Sequence, residues 1–166
     1  VPVLCHPCWN WAFGSKEILE LAGATHFEVF NASPDCNSYP VAGRSATEEI
    51  WDEVLSSGRR IFGVADDDAH VYRGRSGVYA TRLPRPGIGW CAVKVGKETG
   101  DKVPSAIRSA FEAGHFYATN GIDLEEYRVG NGRIFLAVSP WADKRVVTEF
   151  IGRDGVVLDR RHGLEA

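Results

Sequence analysis

The chain has 166 residues, of which 44% are hydrophobic and 25% are charged, and its formal net charge is −3. This length fits one globular domain, or one domain with a small appendage. The weakly acidic balance, without any basic block, gives no electrostatic footprint for nucleic-acid binding, and the apolar runs are too short to span a bilayer.

Strand and helix signals alternate along the first two thirds of the chain. Short apolar runs predict buried strands at 1–5, 26–30, 60–65, 88–95 and 116–119. Apolar residues at helical spacing, bounded by capping residues and glycine stops, predict helices from Ser15 to Ala22, from Ser45 to Gly58 and from Pro104 to Gly114. Such an alternation predicts βαβ units in a mostly parallel sheet or barrel.

The pattern changes near Leu124. Two turn signals, Gly130–Asn131–Gly132 and Arg153–Asp154–Gly155, separate short β-rich runs and predict antiparallel hairpins. We therefore expect an α/β domain over residues 1–121 and a small antiparallel β extension over residues 122–166.

Polar residues with metal-binding side chains cluster just past the ends of three predicted strands. The carboxyl ends of strands carry the functional site in α/β barrels and open α/β sheets, so these side chains are expected to share one rim. The residues concerned are His6, Glu28, Asn31, Asp66, Asp67, Asp68 and His70.

The triplet Asp68–Ala69–His70 has a specific metal-binding interpretation. Residues two apart in an extended segment point to the same side, so one carboxylate and one imidazole can meet a single ion. Mixed nitrogen and oxygen ligands suit Zn, Mn or Fe, and carboxylates also accept Mg. Asp66 or Asp67 could accept a hydrogen bond from the other ring N–H of this imidazole. The alternative is a solvated acidic loop with one exposed histidine.

Cysteines raise a second possibility. Cys5 and Cys8 form a C-x-x-C pair, which allows a thiol redox site or a zinc site. A redox pair should lie directly before a helix, whereas residues 9–14 intervene here, and Cys5 at a strand end is expected to face the core, away from Cys8. Without a secretory signal, we expect free thiols and a cytoplasmic location.

Two further side chains are candidates near the same rim. Arg73, with Arg75 close by, could hold a phosphate group, although two exposed loop arginines explain the sequence equally well. Trp9 or Trp11 could line the mouth of a site.

Taken together, four segments resemble the PHP (polymerase and histidinol phosphatase) superfamily of metal-dependent phosphoesterases. They are CHPCWN from Cys5, FEVFN from Phe27, GVADDDAH from Gly63 and AFEAGHFYATNG from Ala110, in the order and spacing of that family. The resemblance covers roughly residues 1–121.

This resemblance implies a distorted (β/α)7 barrel that binds up to three divalent metals and hydrolyses a small phosphorylated substrate. It implies His6, Asp68 and His70 as metal ligands, and Glu28 and Asn31 as residues of the pocket or of the shell around it. The family's opening H-x-H segment is absent from the sequence. We therefore expect a fragment with part of the barrel and part of the metal site.

An open barrel would leave strand edges unpaired, which predicts that the chain forms a homo-oligomer. The competing hypothesis is a non-enzymatic module, an α/β core with a β appendage, that binds a partner or a carbohydrate. Stoichiometric metal would favour the phosphoesterase over that module.

Overall fold

The computed structural model describes residues 1–36, 38–70, 84–97, 99–140 and 145–166. They form two compact units, Val1–Asn120 and Gly121–Ala166. The helices are α1 (Ser15–Glu20), α2 (Thr47–Ser56) and α3 (Val103–Glu112). The strands are β1 (Val3–Leu4), β2 (His26–Asn31), β3 (Phe62–Asp66), β4 (Trp90–Val93), β5 (Phe116–Thr119), β6 (Leu124–Gly130), β7 (Arg133–Val138), β8 (Val147–Ile151) and β9 (Val157–His162).

The centre of the first unit is a three-stranded parallel sheet in the order β1-β2-β3. Parallel neighbours need a crossover between them, and α1 and α2 lie in the two crossovers. In this part of the chain, the alternation of strand and helix signals corresponds to βαβ units.

The core lies where α1 and α2 pack against this sheet. Ile18 of α1, Val54 of α2 and Phe27 of β2 are fully buried members of one cluster. Burying side chains of this size stabilises the fold by about 1.5–3 kcal/mol each. Trp51 closes one side of the cluster and donates its indole N–H to the Ile61 carbonyl at 3.0 Å.

The expected barrel is wrong. β4 and β5 pair with each other antiparallel, in a separate two-stranded sheet, with Trp90 opposite Thr119 and Val93 opposite Phe116. β3 and β4 contact each other through the Cys91 side chain, whose Sγ lies 3.4 Å from the Ala65 nitrogen. In the described part of the chain, no ladder of backbone hydrogen bonds joins the two strands. The strands therefore form neither a partial nor a complete (β/α)7 barrel in residues 1–36, 38–70, 84–97 and 99–120.

The second unit consists of two antiparallel hairpins, β6–β7 and β8–β9. Asn131 and Gly132 both have positive φ, at 51° and 70°, which is the backbone that a tight two-residue hairpin turn requires. The end of the chain lies alongside β7, where Ala166 and Leu136 exchange backbone hydrogen bonds of 3.0 and 2.9 Å.

None of the helices in the described residues has the length and the apolar character of a membrane-spanning segment.

Candidate functional site

The carboxyl ends of β1, β2 and β3 lie along one edge of the parallel sheet. His6 follows β1 by two residues, and Asn31 at the end of β2 is in register with Asp66 at the end of β3. This is the edge at which open α/β sheets bind their ligands.

An open cleft of about 310 Å³ lies among the residues that follow these strands. The three predicted metal ligands, His6, Asp68 and His70, all line it. The other lining residues are Trp9, Ser33, Asp35 and Cys36. The cleft therefore brings together residues that are more than 60 positions apart in the sequence.

His70 is oriented by the backbone of Asp68. Its Nδ1 lies 2.5 Å from the Asp68 carbonyl oxygen and 3.8 Å from the Asp68 carboxylate. An Nδ1–H that donates to this carbonyl leaves the lone pair on Nε2 for a ligand, which is the usual arrangement of a metal-binding imidazole.

Two of the predicted ligands have left-handed backbones. The φ angles of His6 and Asp68 are 34° and 46°, in a region that costs non-glycine residues about 1–3 kcal/mol. A carboxylate holds each backbone in place: Glu28 Oε2 accepts the His6 N–H, and Asp66 Oδ1 accepts the Asp68 N–H at 2.9 Å. Glu28 and Asp66 thus act as positioning residues for His6 and Asp68.

Glu28 is almost completely buried, with 2% of its surface exposed. Burial, followed by the hydrogen bond and the negative charge of Asp66, raises the pKa of Glu28 to about 8, against the donors at His6 and Asn31, which lower it. The Asn31 side-chain amide donates to Glu28 Oε1 at 3.2 Å, and its oxygen accepts the Ser33 N–H at 2.7 Å. Glu28 and Asn31 therefore form a buried polar network beneath the cleft.

A β-bulge places Glu28 and Asn31 next to each other. In the β2–β3 ladder Glu28 pairs with Val64 and Phe30 with Ala65, so Val29 is an extra residue. Residues three apart in a regular strand point to opposite faces, and the extra residue brings these two to the same side. The carbonyl of Val29 lies 2.5 Å from the hydroxyl of buried Thr47, which donates to it.

Asp67 lies away from the cleft lining and anchors the segment before β4. Its carboxylate accepts the N–H groups of Gly87, Ile88 and Gly89 at 2.7–2.9 Å. Slight burial works in the opposite direction, but these three donors hold the pKa of Asp67 below its ordinary value. Asp67, predicted for the pocket or for the shell around it, is not among the residues that line the cleft, and Arg73, predicted likewise, lies outside the described residues.

The cysteines do not form a reactive pair. Cys8 is fully buried in the core and Cys5 is exposed, the reverse of the orientation expected for Cys5. Burial raises the pKa of both thiols, and for Cys5 the charges of Glu28, Asp66 and Asp68 add to the effect. Both therefore remain poor nucleophiles at neutral pH.

The donors in the cleft match a divalent metal in kind, since two imidazoles and two carboxylates, those of Asp35 and Asp68, line one space. They do not form a closed coordination shell. Within the part of the chain that the structure covers, no group of three His, Cys, Asp or Glu side chains is close enough together to hold an ion as it stands.

Comparison with protein-family models, with curated proteins and with solved structures finds no match for this chain.

Sequence reasoning missed the loop after β2. Ser33, Asp35 and Cys36 line the cleft from a short 3-10 turn, Pro34–Cys36, that follows the carboxyl end of that strand. The position of this loop could have identified it, because the loop leaves the sheet at the same edge as the predicted ligands.

Proposed function

We propose that this cleft is part of the active site of a metal-dependent phosphoesterase of the PHP type, with His6, Asp68 and His70 as metal ligands. The observation that carries the proposal is that these three side chains, from the ends of two different strands, line one cleft. The ligand types suit Zn, Mn or Fe, and Mg can bind through the carboxylate.

The charge around the cleft supports a cation there. Burial, and then the nearby carboxylates of Asp68, Glu28, Asp66 and Asp35, raise the pKa of Cys36 in the cleft wall to about 12. With its pKa raised to about 8, Glu28 is mostly protonated at neutral pH, so the negative charge that remains is that of the aspartates. This charge disfavours a phosphate ester unless a cation binds with it.

A bound divalent cation would supply charge neutralisation at the phosphate oxygens and a water molecule of lowered pKa. The chain's own residues would hold the cation and orient its ligands. Asp68 and the two imidazoles bind the cation, while Glu28 and Asp66 fix the backbones of His6 and Asp68. Among the described residues, no three of these donors are close enough together to hold an ion as they stand, so we expect the chain by itself to bind metal weakly.

The test is hydrolysis of p-nitrophenyl phosphate with added Mn²⁺ or Zn²⁺, and with a chelator. Loss of a residue that supports a metal ligand lowers activity by about 10–100-fold. Asp68→Asn removes a proposed ligand itself, so it should lower the activity by at least this factor. The control is Asp101→Asn, an exposed aspartate on a different loop that should keep full activity. Activity that survives the chelator, or that survives Asp68→Asn, would contradict the proposal.

A second candidate, a non-enzymatic binding module, is favoured by the second unit. Its hairpins carry exposed apolar side chains, of which Val129 is 64% and Leu158 72% exposed. Isolated two-stranded ribbons with apolar surface are marginally stable without a partner. A chain that stays metal-free and inactive after loading with Mn²⁺ would favour this candidate.

Thiol redox chemistry, the remaining alternative, has no support from the buried Cys8. No disulfide joins the four cysteines, all of which lie in the described residues. This suits the reducing cytoplasm, in which we propose that the protein acts on a small phosphorylated substrate.

A further inference from the structure

A large aromatic side chain stands at the edge of the cleft. Trp9 lines the cleft together with His6 and Asp68, yet 48% of its surface is exposed. Its ring lies 5.6 Å from the His6 ring, centroid to centroid, at an interplanar angle of 69°. The indole therefore presents a large planar apolar surface to the space beside His6 and Asp68.

The exposure of Trp9 does not come from a loose loop. Pro7 and Cys8, immediately before it, are fully buried, and Cys8 belongs to the hydrophobic core. The turn Trp9–Trp11 is closed by backbone hydrogen bonds from the Trp9 nitrogen to the His6 carbonyl at 3.0 Å and from the Ala12 nitrogen to the Trp9 carbonyl at 3.2 Å. The backbone that carries the indole is therefore fixed beside the cleft.

The backbone of this turn is also strained. His6, Asn10 and Trp11 have φ angles of 34°, 52° and 50°, so half of the six positive-φ non-glycine residues in the described part lie within one stretch of six. Strain of this kind persists where the surrounding structure fixes it, and it is concentrated at ligand-binding sites.

The neighbouring indole has a different environment. The Arg44 guanidinium lies over the Trp11 ring at 4.9 Å, and Trp11 is not among the residues that line the cleft. Of the two tryptophans in the turn, Trp9 is therefore the one that can contact a ligand in the cleft.

We propose that Trp9 stacks on a planar ring in the alcohol part of the phosphate ester, so that the preferred substrates are nucleoside or aryl phosphates rather than aliphatic ones. This inference rests on the proposed phosphoesterase function. Because the Trp9 ring contacts His6, the ring subsite adjoins the proposed metal ligands, and the stacked group needs to be only a short linkage away from phosphorus.

The test compares kcat/KM for adenosine 5′-monophosphate, p-nitrophenyl phosphate and glycerol 2-phosphate in the presence of Mn²⁺. Stacking of a base on an aromatic side chain corresponds to roughly 5- to 150-fold in affinity. Trp9→Ala should therefore lower the ratio of ring-bearing to aliphatic kcat/KM by that factor, and Trp9→Phe should restore most of it. If Trp9→Ala lowers the kcat/KM ratio for only one of the two ring-bearing substrates, the preferred substrates are the phosphate esters that carry that kind of ring.

Trp11→Ala is the matched control, since it removes a tryptophan from the same turn and should leave the ratio unchanged. An equal loss for all three substrates in Trp9→Ala would assign Trp9 a structural role and overturn the proposal, as would no loss at all.

If the chain hydrolyses none of the three, the phosphoesterase proposal fails, and the role of Trp9 is still decided by binding. Equilibrium dialysis of adenosine 5′-monophosphate and glycerol 2-phosphate with Mn²⁺ then supports stacking if Trp9→Ala weakens only the first. Equal binding of the two phosphates to the parent chain, or equal losses in the variant, would overturn it.

Discussion

Burial decides the ionisation of Glu28, and this has a consequence for stability. The pKa of Glu28 rises from 4.5 to about 8 in the folded chain, so the folded state holds this proton more tightly than the unfolded state. The contribution is complete below the unfolded pKa and is lost as the pH rises through the folded pKa. The metal-free protein should therefore lose stability between about pH 4.5 and pH 8, by an amount on the order of several kcal/mol.

Glu28→Gln keeps the shape of the side chain and cannot ionise. Urea unfolding of both proteins at a series of pH values, with chelator present, should give a smaller loss of stability in the variant over this range. Parallel curves for the two proteins would contradict the account of Glu28.

The Cys36 thiol should be unreactive although it lines the cleft. Only 3% of the residue is exposed, and burial together with the neighbouring carboxylates raises its pKa to about 12. Alkylation of the folded protein with iodoacetamide at neutral pH, followed by mass spectrometry of the peptides, should label exposed Cys5 well before Cys36. Equal rates would show that the cleft is more open or less negative than described.

At the scale of the elements, Gly89 allows β4 to approach β3. A Cβ added there would lie 2.6 Å from the Asp66 carbonyl oxygen and 2.9 Å from the Phe30 ring. Because the closest contact is with backbone, no side-chain movement relieves it. Gly89→Ala should lower the free energy of unfolding by about 1–3 kcal/mol and disturb the end of β3.

Gly96→Ala is the matched control for this substitution, since a Cβ at Gly96 meets nothing within 4 Å. It should change stability by no more than about 0.5 kcal/mol in the same urea titration. Equal effects of the two substitutions would argue against the close approach at Gly89.

The bulge in β2 depends on a buried hydroxyl. Thr47 donates to the carbonyl of Val29, the extra residue, and also lies 3.1 Å from the Ser38 carbonyl. Thr47→Val removes this donor and should cost about 1–3 kcal/mol in unfolding by urea. Thr47→Ser keeps the hydroxyl and should cost only about 1 kcal/mol for the lost methyl group. A valine variant as stable as the serine variant would contradict this role for Thr47.

The β2 bulge also marks a limit of sequence reasoning. The side-chain period of a regular strand places Glu28 and Asn31 on opposite faces, and nothing in FEVFN reveals that Val29 is extra. By contrast, the position of His6, Asp68 and His70 at one edge could be predicted, because the parallel direction of β1, β2 and β3 decides it.

At the scale of the whole molecule, the same limit explains the incorrect barrel. A strand, a helix and a strand follow one another both in β2–α2–β3 and in β4–α3–β5, yet the first pair is parallel and the second antiparallel. Apolar periodicity identifies the elements, whereas strand direction depends on tertiary contacts such as Cys91 against Ala65. The β6–β7 hairpin of the second unit was easier to predict from the sequence, since Asn131 and Gly132 specify its turn locally.

We propose that the cleft binds a divalent metal through His6, Asp68 and His70. The test is the metal bound by the parent chain, His70→Ala and His115→Ala at dialysis equilibrium with excess Mn²⁺ or Zn²⁺, measured by elemental analysis, since a weak site fills only while the ion is in excess. His115 is exposed and lies outside the cleft lining, so it is the matched control. We predict that the parent and His115→Ala retain the metal equally and that His70→Ala loses most of it. A parent chain that remains metal-free after loading, or three proteins with equal metal content, would contradict the account.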